Sequence, residues 1–552
     1  MKHICTIAFV VFLSVFGIFR TQACTNFLVT KGASASGHNM ISYSADSHLL
    51  YGELYHWPAA DYAAGTWEEI YEWDSGKHLG HIPQVAHTYN VVGNMNEHQV
   101  AIGETTFGGR NELVNTKGLL DYGSLIYIAL KRSKTARQAI QVMTELVATH
   151  GYYSSGESFS IMDANEVWIL EMIGRGEGIN GALWVAMRIP DGYISGHANQ
   201  ARITQFPQKK YKWNDPKADV FYAADVVKFA TDKGWYKGPA KDFSFSDTFA
   251  PVDFGAARFC DARVWAGFLK AGCPVQAYEA YALGHDLSKR MPLWVKPDKK
   301  IALHAVMDIM RDHYEGTPMD MTKDFGAGPY ALPYRWRPLT WKIDSVEYLN
   351  ERAIATQQTG FVFVAEARAE LPDALGGILW WGVDDASTTV FNPVYSTSTY
   401  VGETVREGNG SMMQWSDNAA FWVFNQVSNY AYTRYNAIYP EIRTLQLEFE
   451  NKFLAQVPEI DTKAQALYAS NPAEAVALLS QYSASTIDAT TVRWKQLYNY
   501  LFMKYMDGNV KTPSTDQRDP KLEQPGYSPD WYKNLIKQNG ENLKVPAGGT
   551  AH

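Results

Sequence analysis

The sequence predicts an α+β fold in which antiparallel sheets are covered by helices. Two observations carry this. Short β-prone runs recur in pairs, joined by turns rich in Gly, Asn, Asp or Ser. Helix-period segments lie between these pairs and dominate the last quarter of the chain. A hydrophobic content of 46% is ample for a packed core, and no internal repeat is present.

The elements follow in order. Lys2 and His3 open a weakly basic start, and Ile4 to Phe19 is an almost unbroken apolar run, "ICTIAFVVFLSVFGIF". Arg20-Thr21-Gln22-Ala23 then leads to Cys24. This is the pattern of a secretory signal peptide, with small Ala23 before the cut. The run is shorter than the roughly 20 apolar residues of a membrane-spanning helix. Residues 1–23 are therefore expected to be cleaved, leaving 552 − 23 = 529 residues, secreted or periplasmic. An uncleaved N-terminal anchor is the alternative. No later segment reads as a membrane span.

From Cys24, "TNFLVT" and "MISYS" read as strands around the turn "KGASASGHN". "VVGNMNEHQVAIGETTF" repeats the form with its turn at Asn94 to Glu97, and "FSIMDANEVWILEMI" turns at Asp163-Ala164-Asn165. "ALWVAMRIPDGYISGHANQARI" adds two strands, and "GFVFVAEARA" with "GILWWGVDDAS" another pair. In "SKTARQAIQVMTELVATHG", Thr135 and Gln138 form a capping box. Ala136, Ile140, Met143 and Val147 line one face, and Gly151 ends the helix. Residues 441–508 read as mostly helical, and 509–552 as a Pro/Gly-rich tail. On a prior of about 150 residues per domain the length suggests three or four domains. The linkers for such a division are missing, so one large domain over 24–440 is expected, with the helical region and tail appended.

Composition narrows the function. The net charge is −8 and no basic stripe is evident, which argues against nucleic acid as a partner. The 17 Trp and 33 Tyr could line a sugar-binding cleft or simply pack the core and hairpins. Of four cysteines, Cys5 leaves with the signal, so Cys24, Cys260 and Cys273 remain. Export permits a Cys260–Cys273 disulfide. Against it, "CDARVWAGFLKAGC" reads partly as helix, which would hold the thiols about 20 Å apart. Either way Cys24 is left over, and an odd cysteine in an exported protein is a candidate reactive thiol.

Other motifs fail their context. Gly176 to Gly181 matches G-x-G-x-x-G, but a strand follows where a dinucleotide site needs a helix N-terminus. No H-E-x-x-H, G-x-S-x-G or P-loop is present, and the 14 His residues lack ligand spacing. No metal or cofactor is expected.

Cleavage before Cys24 would place a thiol and a free α-amine on one residue. The amine has a pKa of about 7.7–8.0, a base poised near neutral pH a few atoms from the sulfur. This is N-terminal-nucleophile chemistry, with the chain's own amine in place of histidine. Two alternatives stand beside it. A lipoprotein signal also ends at cysteine, but Thr21 and Gln22 fit it poorly, and acylation would block both groups. Cys24 could also be a buried structural thiol.

At this point the residues resemble a family. "CTNFLVTKGASASGHNMISYSADS" is similar to the opening of the dipeptidase A and secernin family of N-terminal-nucleophile cysteine peptidases. The likeness continues through "NMNEHQVAIGETTF", "GESFSIMDANEVWILEM", "GHANQARI", "GTPMDMTKDFGAGPY" and "GILWWGVDDASTTVFNPVY". It implies a four-layered αββα sandwich with additional C-terminal helices. It also implies a thiol dipeptidase without metal or cofactor, acting on dipeptides or short peptides. More distant kinship runs to penicillin V acylases and bile salt hydrolases.

Carried onto this sequence, the resemblance makes Cys24 the nucleophile. Asp46 matches the acidic residue that orients its α-amine, unless it only caps a turn. Asn199 matches an oxyanion-hole Asn. Thr106 stands where the acylase relatives carry another such Asn. Arg202 is suited to fixing a carboxylate or bracing the loop. Glu104 and Arg110 lie nearby in sequence as readers of the two ends of a dipeptide. There is one departure: where many relatives have "ARN", this chain has Tyr43 in place of the Arg and Ser44 in place of the Asn, so another cation is needed for whatever that Arg did. Two rival functions stay open, an acylase on N-acyl substrates and a lipid-anchored protein that binds without catalysis. The sequence leaves the oligomeric state open, a homo-oligomer included.

Overall fold

The computed structural model describes residues 24–550, residue 517 excepted. The expected signal peptide, residues 1–23, lies outside the described residues. The chain is a mixed α/β protein built on antiparallel sheets.

Two large sheets dominate. The first runs in the order Trp294–Val295, Ile194–His197, Thr25–Val29, Asn39–Asp46, Thr359–Ala367, Gly377–Val383, Asn392–Tyr395. The second runs Val220–Tyr222, Leu183–Arg188, Val167–Ile173, Gly156–Met162, Ala101–Gly108, Met95–Asn96, Val91–Val92, His56–Trp57. Neighbours pair antiparallel throughout both.

Every residue of Thr25–Val29 and Asn39–Asp46 is buried. A strand buried on both faces needs a layer on each side. On one side these strands meet Ala101–Gly108 and Gly156–Met162 of the second sheet. On the other, helices Ala262–Lys270 and Leu303–Met310 pack on them. The helix approaches so closely that a Cβ on Gly267 would lie 2.0 Å from the Phe27 ring. Helices Tyr122–Arg132 and Ala136–His150 pack on the second sheet.

The expected pairs form. Met162 pairs with Val167 around the Asp163 turn, and Thr359–Ala367 pairs with Gly377–Val383. The helix after Ser133 spans Ala136–His150, capped by the Thr135 side chain and ended by Gly151 at φ 79°. Its box is shifted by one residue, because Gln138 accepts from Lys134 N at 2.8 Å. Gly176, Gly178 and Gly181 all adopt positive φ in the link between paired strands Val167–Ile173 and Leu183–Arg188, a glycine hairpin.

Other expectations are corrected. The Asn94–Glu97 turn is in fact two turns around the short strand Met95–Asn96. Strands Leu183–Arg188 and Ile194–His197, consecutive in sequence, belong to different sheets. Cys260 and Cys273 are free thiols, separated by the helix Ala262–Lys270. The boundary at 440 is no structural break, since it falls inside the helix Tyr435–Tyr468. That helix and its partner Pro472–Tyr505 pack on Asn392–Tyr395. Buried pairs tie the first of them inward: Arg311 to Glu450, Arg368 Nη2 to Asp461 at 3.1 Å and Tyr395 OH to Asp461 at 2.8 Å. The tail is ordered as the hairpin Val510–Thr512/Lys521–Glu523 and the helix Pro529–Leu543, none of whose residues is buried. Among the described residues no helix is long and apolar enough to cross a membrane.

One buried acid makes stability pH-dependent. Burial and neighbouring Asp385 push Asp384 well above the usual carboxylate range, and its Oδ2 has no hydrogen-bond partner among the described residues. The folded chain thus holds a proton that the unfolded chain releases above about pH 4, so this group lowers stability as pH rises. Asn keeps the shape and tolerates the φ of 65° found here. Asp384→Asn is therefore expected to raise the melting temperature at pH 8 and to change it little at pH 4, read by calorimetry. An equal shift at both values would refute the assignment.

Candidate active site

Cys24 stands immediately before the first strand of the central sheet. The register pairs Thr25 with Ser44, which sets Cys24 beside Ala45 and Asp46 at the end of the neighbouring strand. The residue is 3% exposed, and it lines a cavity of about 230 Å³. That lies below the roughly 300 Å³ at which drug-sized sites begin, so a small substrate fits. Tyr43, Asp46, Asp74, Asn94 and Glu104 supply polar groups, and Tyr55, Trp73, Tyr127 and Phe361 an aromatic wall.

Cys24 Sγ lies 3.5 Å from Glu104 Oε1 and 3.8 Å from Tyr43 OH. Burial, then the charges of Glu104 and Asp46, push the thiol well above its usual range, while hydrogen bonding from the Asp46 backbone and the Tyr43 side chain opposes this. The resting sulfur is a protonated thiol and needs a base at the moment of attack. Tyr43 donates to Glu104 Oε1 at 2.6 Å, with its ring edge-on to Phe361 and Phe363. The position expected to carry Arg thus holds a neutral phenol.

Asp46 is buried and fully engaged. Its Oδ2 accepts from Arg352 Nη2 at 2.6 Å and Ser44 Oγ at 3.1 Å, and its Oδ1 from Thr359 Oγ1 at 2.7 Å. The carboxylate is thus fixed in position. Arg352 was not legible in the sequence, being 306 residues away.

Arg263 was also missed. Its Nη1 donates to Cys24 O and to Thr25 Oγ1, both at 2.7 Å. Its Nη2 donates to Ala198 O at 3.0 Å and to Asn199 Oδ1 at 2.9 Å. One guanidinium therefore locks the Cys24 backbone to the loop bearing Asn199. The available signal was an arginine on an otherwise apolar helix, "ARVWAGFLK", where it is 1% exposed.

Asn199 sits at φ 61°, and its Nδ2 donates to Thr106 O at 2.8 Å. It lines a second cavity with Arg110 and Cys260. Arg110 donates from Nε to Thr248 O at 2.8 Å and stacks over Trp235. It faces that second cavity, away from the one lined by Cys24. The Thr106 hydroxyl is taken up by Glu157 Oε1 at 2.6 Å. Arg202 is a brace: Nη1 donates to Gly196 O at 2.6 Å, Nη2 to Pro292 O at 2.7 Å, and Nε faces Asp261 at 3.4 Å. Of the seven residues singled out, the fold therefore gathers Cys24, Asp46 and Glu104 around one cavity. Asn199 is tied to them through Arg263. Thr106, Arg110 and Arg202 lie elsewhere.

Two further groups hold this frame. With its amide turned so that both ends are satisfied, Asn26 donates to Glu104 O at 2.9 Å and accepts from Glu104 N at 3.1 Å, pinning one sheet to the other beside the sulfur. His197 bridges Thr105 and Ser160 at 2.7 Å each. Burial and Arg202 push it down to about 3, so it is neutral and structural.

Comparisons with known proteins give the family. The profile of peptidase family C69 matches residues 54–448, well over half of the chain. The chain belongs to peptidase family C69 and is a peptidase by class. A probable dipeptidase of Salmonella dublin is 24% identical over 413 residues, covering 69% of this chain and 83% of that protein. A probable dipeptidase of Latilactobacillus sakei is 23% identical, covering 83% and 90%. The dipeptidase of Bifidobacterium longum is 24% identical, covering 72% and 76%. The matched family span begins after Cys24.

Proposed function

We propose that this protein is an exported cysteine dipeptidase in which Cys24, freed by cleavage after Ala23, is the nucleophile. The observation that carries the reading is a cysteine at the head of the central strand, its sulfur on a small cavity and its carbonyl clamped by Arg263. The two facing sheets with helices outside fit the four-layered αββα sandwich of N-terminal-nucleophile hydrolases.

Cys24 Sγ attacks the scissile carbonyl. The α-amine of the same residue takes the thiol proton and returns one to the leaving amine. Asp46, held by Arg352 and Thr359, orients that amine and keeps it basic. Asn199, its Oδ1 fixed by Arg263 and its Nδ2 bonded to Thr106 O in the resting site, turns an N–H with backbone amides to the oxyanion. Water then cleaves the thioester.

The test is the N-terminus. A protein beginning at Cys24 is expected to hydrolyse dipeptides. One carrying an additional residue before Cys24 is expected to be inactive, with unchanged stability, because its amine is displaced and acylated. Intact mass gives the native terminus. Full activity in the extended protein, or a diacylglyceryl Cys24, would sink the proposal.

A further inference from the structure

Cleavage after Ala23 turns the Cys24 nitrogen from a peptide amide into an α-amine, which gains a charge and further donors when it is protonated. Cys24 is 3% exposed, and a charge so buried needs a counter-charge. Asp46, Asp74 and Glu104 are the acids that line its cavity. Asp74 is exposed and accepts from Tyr122 OH at 2.9 Å, so Asp46 and Glu104 are the buried choices.

Asp46 is already neutralised. Its carboxylate is turned to Arg352, Ser44 and Thr359, with Arg352 Nη2 at 2.6 Å. Together Asp46 and Arg352 carry no net charge.

Glu104 differs. It is 1% exposed. Its Oε1 accepts from the neutral Tyr43 phenol at 2.6 Å and lies 3.5 Å from Cys24 Sγ. Its Oε2 is buried and meets no hydrogen-bond donor among the described residues. No Lys, Arg or His lines the cavity. The Cys24 nitrogen is on the order of 3–4 Å from its own sulfur. Nitrogen and Glu104 Oε1 are therefore at most about 7.5 Å apart, inside the range of an unscreened charge pair. The placement is held by the nucleophile's own strand. Asn26, with its amide turned, donates to Glu104 O at 2.9 Å and accepts from Glu104 N at 3.1 Å.

We propose that Glu104 is the counter-ion of the Cys24 α-ammonium in the mature enzyme, and that Tyr43 holds its carboxylate in place for that charge. The thiol S–H bond breaks and its proton goes to the lone pair of the α-nitrogen. The thiolate attacks while Glu104 balances the ammonium, and the ammonium later gives a proton to the leaving nitrogen. Glu104 and Tyr43 are thus positioning residues that act through the amine. The inference rests on Cys24 being the nucleophile, and it deepens that reading: Asp46 orients the amine and Glu104 supplies the charge.

The test is the pH profile. The groups facing the amine and Glu104 are Cys24, Tyr43, Asp46, Asp74, Tyr122, Tyr127, Tyr152 and Glu157. The nearest cations are Arg263 on the Cys24 carbonyl and Arg352 on Asp46. Both stay in every variant, so the differences between variants read Glu104. The acid limb of kcat/KM reports the free enzyme's base, and a neighbouring carboxylate raises the pKa of an amine. Glu104→Gln should therefore move that limb to lower pH by about one to two units, the worth of one hydrogen bond to a charged group. Glu104→Asp keeps the charge one carbon farther away and should move the limb less. A role in shape alone would be met by Gln and not by Asp. In wild-type protein with isotope-labelled cysteine, NMR should show the Cys24 α-amine titrating above the ordinary value of about 7.7–8.0. This reading holds should Glu104→Gln fail to fold, and an amine titrating at or below that value would overturn the proposal. An unmoved limb in folded Glu104→Gln, with Cys24→Ala inactive, overturns this inference alone. Activity in Cys24→Ala overturns the nucleophile itself.

Discussion

Replacing Cys24 by alanine is expected to lower kcat/KM on dipeptides by a factor on the order of 10⁴–10⁶, the range for removing a nucleophile that works with a base as a unit. The fold should survive. The sulfur makes two long contacts, and Tyr43 still donates to Glu104 at 2.6 Å when it is gone. The grip of Arg263 on the Cys24 carbonyl involves the backbone and is untouched. Cys24→Ser is expected to retain only a small part of the activity, since a hydroxyl is a weaker nucleophile than a thiolate. Steady-state kinetics with melting temperatures checks both variants. An alanine variant that is active and stable would leave the cavity without its chemistry.

The second large effect is expected at Arg263. Its guanidinium joins Cys24 O, Thr25 Oγ1, Ala198 O and Asn199 Oδ1, and its Nε bonds Phe259 O one turn back on the helix. Without it these groups stay buried and lose their donors, and each bond to a charged group is worth about 1.5–3 kcal/mol, not additively. Arg263→Met should therefore lower the melting temperature clearly. It should also cut kcat by about 10²–10³-fold, as loss of one oxyanion donor does, because Asn199 is no longer aimed. KM should change less, since Arg263 does not line the cavity. Arg263→Lys should not rescue, because one ammonium cannot reproduce the planar fork. Wild-type kcat in the lysine variant would refute the role.

Tyr43 now has an account. An arginine in its place would put a cation beside Glu104. The phenol instead donates one hydrogen bond to Glu104 at 2.6 Å.

What could be read in the sequence was local. The hairpins at Asp163 and between Thr359–Ala367 and Gly377–Val383, the helix capped by Thr135, and the reactive position of Cys24 all follow from patterns spanning a few residues. Those patterns report backbone preference and burial period, which neighbours in sequence determine. Glu104 was named as a reader of one end of a dipeptide, whereas its hydrogen bond from Tyr43 and its approach to Cys24 needed the fold. Strands Leu183–Arg188 and Ile194–His197 were both legible, but only the fold assigns them to different sheets, because no turn signal says which sheet a strand will enter.

The sequence by itself therefore determined the element types, the family likeness and the residue on which the proposed chemistry centres. Only the tertiary structure decided that Arg263 clamps Cys24 from 239 residues away and that Arg352 holds Asp46 from 306. It also decided that Arg202 and Arg110 are occupied away from the Cys24 cavity. The reason is physical. A buried charge is stable only beside its partner, and which partner stands beside it is set by how the sheets and helices pack, not by spacing along the chain.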